Sequence, residues 1–383
     1  MTERVYETDA YCREFTATVL SCDTVEGGFA VVCDRTAFFP EGGGQAADTG
    51  TLGGANVLDV QRRGDVVVHT VDVPLKAGDT VQGVLDWDVR YRRMQSHTGE
   101  HILSGVIFKL FGYSNVGFHM SESLMTVDVS GTLTAEDVAR VEYEANMAVY
   151  QNAAITVTYP TAEELAVLPY RSKIELQEDT RIVTIGDVDC CACCAPHLHR
   201  TGEVGLIKVV DFAPYKKGTR IEMLAGFHAF LDYTALNAAN KRLMSLLSAP
   251  RDGVESAARE QGETLGALHR EVQELKKKLA LHELTKQPLG DAVFAVAAGL
   301  SYDELRHCAN RFAEEGTPAC FLFSANEDGL LYVVSSAARD TRPVVQMLNT
   351  TFQGRGGGKP NYAQGKIAPC DETALKAAIQ EIW

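Results

Sequence analysis

Two pairs of candidate metal ligands, far apart in the chain, constrain its folding more than any other feature. His97-Thr98-Gly99-Glu100-His101 places two imidazoles at i and i+4, which a helix presents on one side. Cys193-Cys194-Ala195-Pro196-His197 repeats that spacing around a proline, which favours a bent, loop-like backbone. Three imidazoles and one thiolate make a tetrahedral donor set suited to Zn²⁺, a borderline-soft ion. The fold must then bring a helix against a distant loop. Four of the ten cysteines, Cys190, Cys191, Cys193 and Cys194, fall within five residues, so the other three thiols, and His199, compete with Cys193 and His197 as donors. Such a cluster reads as metal or reactive chemistry before disulfides.

The elements around these pairs follow from periodicity. Residues 1–85 carry short β-branched or apolar runs broken by glycine turns, the pattern of a small barrel or strongly bent sheet. Residues 88–112 change to helical steps through Met94, His97, His101 and Phe108. Strands and helices then follow in segregated order to about residue 231, which predicts an α+β domain. A long helical stretch from near Asp232 is interrupted at Ala249–Gly253 and resumes to about Leu284. Within it Leu265, Leu268, Val272, Leu275 and Leu279 step by three and four, a coiled-coil seam that either packs on its own domain or pairs two chains. The last segment alternates strands and helices as a small α/β domain. The predicted organisation is 1–88, an N-terminal β-barrel-like domain; 89–231, a zinc-binding α+β domain; 232–285, a helical linker; and 286–383, a C-terminal α/β domain.

Composition excludes some classes. No apolar run reaches the roughly 18 residues of a membrane span, and the first residues are charged and polar, so a cytoplasmic location without membrane contact is expected. The net charge is −15, and residues 1–233 hold 19 basic against 33 acidic side chains. General nucleic-acid coating is therefore disfavoured. Yet Thr341–Cys370 has no acidic residue and carries Arg342, Arg355, Lys359 and Lys366.

Several segments together resemble the editing half of alanyl-tRNA synthetase and its free-standing relatives, the alanyl-tRNA editing proteins, in their long form. They are Phe38-Phe39-Pro40-Glu41-Gly42-Gly43-Gly44-Gln45 with Asp48-Thr49-Gly50, the His97/His101 helix, Cys193-x₃-His197, and Thr201-Gly202-Glu203-Val204-Gly205. Lys217–Glu222 fits the strand that leads into the family's long helix. Phe352-Gln353-Gly354-Arg355-Gly356-Gly357-Gly358-Lys359-Pro360 resembles the Gly-rich signature of the domain that ends alanyl-tRNA synthetases and also occurs in certain phosphoesterases. The resemblance covers nearly the whole chain but not the class II aminoacylation domain or its ATP-binding motifs.

The resemblance implies a zinc-dependent aminoacyl-tRNA hydrolase that serves translation fidelity. It would deacylate alanine tRNA mischarged with serine, or with glycine, in trans. It implies His97, His101, Cys193 and His197 as metal ligands, the Thr201-Gly202-Glu203 register favouring the last two. Gly42, Gly43, Gly44 and Gln45 would shape the substrate pocket, and Thr36 would sense the seryl hydroxyl. Arg355, Gly356, Gly357, Gly358 and Lys359, with Arg92 and Arg93, are the candidate tRNA contacts, although solvated charge explains the arginines equally well. The seam or the C-terminal domain would serve a homodimer. Two alternatives stand beside this: a metal-dependent esterase or amidase on small acyl substrates, and a non-catalytic tRNA-binding module with structural zinc. A Glu directly after the first histidine would have marked a zincin protease; here Glu100 directly precedes the second.

Overall fold

The structure is a computed structural model that describes residues 1–121, 124–172, 180–284, 287–289 and 291–383. By contact the chain divides into two units, Met1–Lys241 and Arg242–Trp383. The predicted boundary between residues 285 and 286 lies outside the described residues.

In the first unit, strand β1 (Glu14–Val25) buries Phe15, Ala17 and Val19 while Glu14 and Thr16 face outward. This two-residue alternation lets one face of a strand line a core. The strands that follow are β2 (Gly28–Cys33), β3 (Gly50–Leu52), β4 (Ala55–Arg63), β5 (Val66–Val71) and β6 (Thr80–Leu85); burial alternates in β2, β4 and β6, whereas β5 buries Val67, Val68 and His69 in succession. The six close into a barrel in the order β1-β2-β5-β4-β3-β6, around Val31, Phe38, Leu52, Val60 and Val71.

Helix α1 (Trp87–Phe111) follows directly. Asp86 caps it by accepting from the Val89 amide, and Gly112, at φ 70°, ends it in the left-handed conformation. From Ser96 to Ile107 every residue of α1 is buried, so neighbours pack it on all sides. They are a four-stranded antiparallel sheet and helix α2 (Ala135–Tyr150). The sheet is formed by β7 (Asn115–Met120), β8 (Met125–Val129), and two strands reached later in the chain. A three-stranded sheet of β9 (Ile155–Thr158), β10 (Ile182–Ile185) and β11 (Asp189–Ala192) flanks it. Strands β12 (Ile207–Tyr215) and β13 (Gly218–Ala225) complete the four-stranded sheet, in the order β12-β13-β8-β7. Helix α3 (Phe227–Leu247) starts five residues before the predicted Asp232, because the chain turns at Gly226 (φ 63°) as soon as β13 ends.

The second unit contains α4 (Val254–Glu283) and a six-stranded sheet. The sheet elements are β14 (Gln287–Leu289), β15 (Ala292–Ala298), α5 (Tyr302–Glu314), β16 (Ala319–Asn326), β17 (Gly329–Ser336), α6 (Arg342–Thr351), β18 (Arg355–Lys359), β19 (Tyr362–Ile367) and α7 (Glu372–Ile382). The strand order is β14-β15-β16-β17-β19-β18. Leu305, Cys308 and Phe312 of α5 pack on one face, and Val344, Leu348, Leu375 and Ile379 of α6 and α7 on the other. Coverage on both faces explains why Ala319–Ser324 reads as an unbroken buried run.

The Gly-rich segment is edge strand β18, not a free loop. A Cβ on Gly356 would lie 1.8 Å from the Tyr332 hydroxyl, and one on Gly358 would lie 2.2 Å from the Tyr362 carbonyl. Those two glycines therefore serve internal packing, which corrects the expectation that all three open the backbone to a ligand. Gly357 alone has clear space at its Cα.

Candidate metal centre

His97 and His101 lie one turn apart on α1, and Cys193 and His197 lie on the loop that leaves β11. The Cys193 Sγ is 3.3 Å from His197 Nε2 and 3.7 Å from His97 Nε2. One donor atom from each of the four residues fits within a 4.8 Å span. A tetrahedral zinc with ordinary bond lengths would set N···S edges of about 3.6 Å and N···N edges of about 3.4 Å. The imidazoles are only 2–4% exposed. Each turns its other nitrogen to a fixed partner: His97 Nδ1 to Gln45 Oε1 at 2.9 Å, His101 Nδ1 to Asp189 Oδ2 at 3.0 Å, and His197 Nδ1 to Thr98 Oγ1 at 3.1 Å. Such outer contacts fix ring orientation and leave each Nε2 directed inward.

The electrostatics suit a cation. Burial by itself would raise the Cys193 thiol, but His97, His197 and His101 overcome it and hold the thiol well below its usual range. Burial lowers His197 to about 3, so this imidazole is neutral and keeps its lone pair. His101 is also pulled down by burial, yet Asp189 with Cys191 and Cys193 carries it well above its usual value. The negative groups that hold this proton would equally attract a metal ion, which must displace the proton to bind.

The turn beneath the cluster is a two-residue hairpin. Gly42 and Gln45 exchange both backbone hydrogen bonds at 3.0 Å, with Gly43 and Gly44 at φ 61° and 83° between them. Positive φ at both central positions is the pattern of a type I′ turn, which side chains rarely tolerate. The hairpin delivers Gln45, 1% exposed, to His97. Its Oε1 accepts from His97, while its Nε2 has no hydrogen-bond partner among the described residues. The loop is tied to α1 by the fully buried Arg90, whose Nε donates to Asp48 Oδ2 at 2.8 Å. The same oxygen accepts from the Phe39 amide.

Three family models match: "tRNA synthetases class II (A)" on residues 10–89, "Threonyl and Alanyl tRNA synthetase second additional domain" on 180–222, and the "DHHA1 domain" on 290–383. The alanyl-tRNA editing protein Aarsd1 of Mus musculus is 30% identical over 97% of this chain and 95% of its own length. The chain belongs to the alanyl-tRNA editing protein family. The family's AlaX-L from Pyrococcus horikoshii is 29% identical over all of this chain and 98% of its own. An alanine–tRNA ligase from Thermococcus kodakarensis is 31% identical, with this chain spanning 43% of it. Among solved structures, the C-Ala domain of Aquifex aeolicus alanyl-tRNA synthetase is similar over 26% of this chain at 21% identity, with a TM-score of 0.24.

In this editing-family chain the predicted residues fall into four places. The four predicted ligands and Gln45 converge. Thr36 is fully buried in the barrel, and its hydroxyl meets His69 Nε2 at 2.8 Å and the Phe38 amide at 3.1 Å, not a member of the cluster. Arg93 donates to the Ala47 carbonyl and so braces the hairpin loop, whereas Arg92 lies on the Phe227 ring. Arg355–Lys359 belong to the second unit. Three of the competing donors separate: His199 stacks on Tyr11 at 3.9 Å, Cys194 is exposed, and Cys190 contacts Thr184. Cys191 does not, since its thiol groups with His101 and Asp189 in a second set of donor atoms within 4.8 Å of one another. Glu100 is turned away into hydrogen bonds with Ser104 and Asn115.

Sequence reasoning missed Asp189 and Arg171. Arg171 grips Asp189 through two hydrogen bonds of 2.7 and 2.8 Å, and Asp189 in turn holds His101. The alternation of β11, which buries Asp189 and Cys191 together, was the available signal. Among the described residues no helix is long and apolar enough to cross a membrane.

Proposed function

We propose that this chain deacylates mischarged alanine tRNA in trans, with one Zn²⁺ held by His97, His101, Cys193 and His197, and serine or glycine as the wrongly attached amino acid. The observation that carries the reading is the cluster itself, four donors at zinc-like separations beside the unpartnered Gln45 amide. Zinc when bound supplies the positive charge against which an ester carbonyl polarises and water ionises near neutral pH. Gln45 does two things with one side chain: Oε1 orients His97, and Nε2 offers a donor to the developing oxyanion or to the substrate's terminal ribose. Gly43 and Gly44 keep that side of the pocket free of side chains. Residues 1–88 and 89–231 would carry pocket and metal, 232–285 the helical linker, and 286–383 a tRNA contact at Arg355, Gly357 and Lys359.

The linker seam supports a homodimer. Leu265, Leu268, Val272, Leu275 and Leu279 are 46–69% exposed, and Glu271 and Lys276 take positions that attract each other across a parallel pair.

Hydrolysis of seryl- and glycyl-tRNA, with zinc present and after chelation, tests the function. Loss on chelation and recovery on zinc addition are expected. Hydrolysis untouched by complete zinc removal would reject the metal's role. Activity on small acyl esters equal to that on tRNA would favour the small-substrate esterase, and folded, zinc-loaded protein without hydrolysis the binding module.

A further inference from the structure

The first unit holds a second cavity, on a stripe of α1 about a third of a turn from His97 and His101. It encloses about 570 Å³, within the range of small-ligand sites. Trp87 and Tyr91 of α1 form one wall, and Phe227, Phe230 and Tyr233 of α3 the other. The α3 rings are conspicuously open, at 41%, 56% and 55% exposure. Arg92 lies over Phe227 with its guanidinium carbon 4.6 Å from the ring centre, and Arg13 covers Trp87 at 4.3 Å.

The cavity is not isolated from the metal centre. His199, two residues beyond His197, stacks on Tyr11 with ring centres 3.9 Å apart. Tyr11 meets Trp87 at 5.5 Å and Tyr91 at 6.3 Å, and those two form the cavity wall. An aromatic track with interleaved arginines thus runs from the loop that carries Cys193 and His197 to the cavity. Rings alternating with cations form the pattern on which unpaired nucleotides stack, since every base has a π-face and every phosphate a charge.

We propose that this track and cavity bind unpaired nucleotides of the tRNA 3′ end, with one base seated between the α1 and α3 rings. The proposal rests on the tRNA reading above and extends it to a site separate from the metal. Local charge favours RNA as the occupant: the guanidinium groups of Arg13 and Arg92 lie over the ring faces, where each can meet a phosphate beside a stacked base. Asp88, on the cavity lining, supplies an acceptor for an exocyclic amino group, which every base but uracil carries, so the cytosines and adenines of a tRNA 3′ end fit and uracil does not.

The chain has two tryptophans, and one of them, Trp87, lines the cavity. Full-length protein labelled with 5-fluorotryptophan should therefore give two ¹⁹F resonances, assigned by Trp383→Phe. Addition of the tetranucleotide ACCA, which carries no amino acid, should shift the Trp87 resonance saturably and leave that of Trp383 in place. Phe230→Ala should weaken this binding about tenfold, the loss expected for one stacked base. Arg92→Gln should flatten its salt dependence, and Asp88→Ala should erase a preference for ACCA over UUUU. For seryl-tRNA, Phe230→Ala should raise KM, with zinc content unaltered.

A Trp87 resonance unmoved by saturating ACCA and by deacylated tRNA would overturn the proposal. So would a Trp87 shift that depends on protein concentration without RNA and vanishes in Phe230→Ala, which would assign the cavity to a second copy. Because the probe carries no ester, ACCA binding without seryl-tRNA hydrolysis would reject the deacylase reading alone. Hydrolysis with wild-type KM in Phe230→Ala would reject the nucleotide site alone.

Discussion

Asp189→Asn tests whether the hydrogen bonds behind the ligands govern the metal. Asp189 is 6% exposed and accepts from His101 through Oδ2 and from Arg171 through both oxygens. Asparagine keeps the shape but offers one acceptor and one amide donor. If its oxygen stays with Arg171, the amide faces His101 Nδ1, donor against donor. Relief requires the proton to move to Nε2, the nitrogen meant for the metal. Loss of such an outer contact costs about 10- to 100-fold in metal affinity, or roughly 1.4–2.8 kcal/mol. Zinc affinity measured by chelator competition at neutral pH should fall by that amount, while seryl-tRNA hydrolysis at saturating zinc recovers in part. Asp189→Ala should also destabilise the metal-free protein by about 3 kcal/mol, because it strands Arg171 in a largely buried position. In a His101→Ala background Asp189→Asn should no longer affect zinc binding, since the interaction it disturbs is gone. Folded Asp189→Asn with zinc affinity within twofold of wild type would refute the positioning role.

Three further outcomes follow from particular contacts. Burial lowers His69 to about 4 from its usual 6.5, so between these values the unfolded chain binds the extra proton; the stabilisation is complete above pH 6.5 and lost as pH falls toward 4, by about 3 kcal/mol in all. Urea denaturation from pH 7 to 4 should show this slope and His69→Gln should flatten it; an unchanged slope would contradict the assignment. Gly44→Ala should reduce deacylation more than Gly43→Ala, because a Cβ at 44 would sit 2.8 Å from Phe118 whereas one at 43 meets nothing nearer than 3.7 Å; steady-state assays giving the reverse order would count against the hairpin argument. Tyr332→Phe should be neutral or stabilising by up to about 1 kcal/mol, since it removes a buried hydroxyl without a partner among the described residues. Gly356→Ala should cost about 3 kcal/mol, with part recovered in the double variant; equal thermal stabilities for the two single variants would refute this packing account.

The parts legible in sequence were those set by neighbours a few residues away. The four-residue spacing placed His97 and His101 on one side of a helix, short β-branched runs between glycine turns marked the barrel strands, and Gly43-Gly44 marked a turn that positive φ makes possible. The break at Ala249–Gly253 separated two helices, as α3 and α4 show. Quoted motifs also led to the family, which full-length relatives bear out.

Contacts between distant segments were decided only by the tertiary structure. Nothing local to Asp189 shows that it stands behind His101, or that Arg171 stands behind Asp189. Gln45 reaches His97 only because the buried Arg90–Asp48 pair ties the barrel loop to α1. Gly356 reads as open backbone until Tyr332 is found against it. Nothing in the sequence singles out Trp87, Tyr91 and Phe230, which face one another only because α1 and α3 leave space between them. The reason is physical: helix and turn propensities act through backbone sterics and hydrogen bonds over one or two turns of chain. A metal shell, a buried ion pair or a cavity depends instead on where whole elements come to rest, and their joint packing determines that.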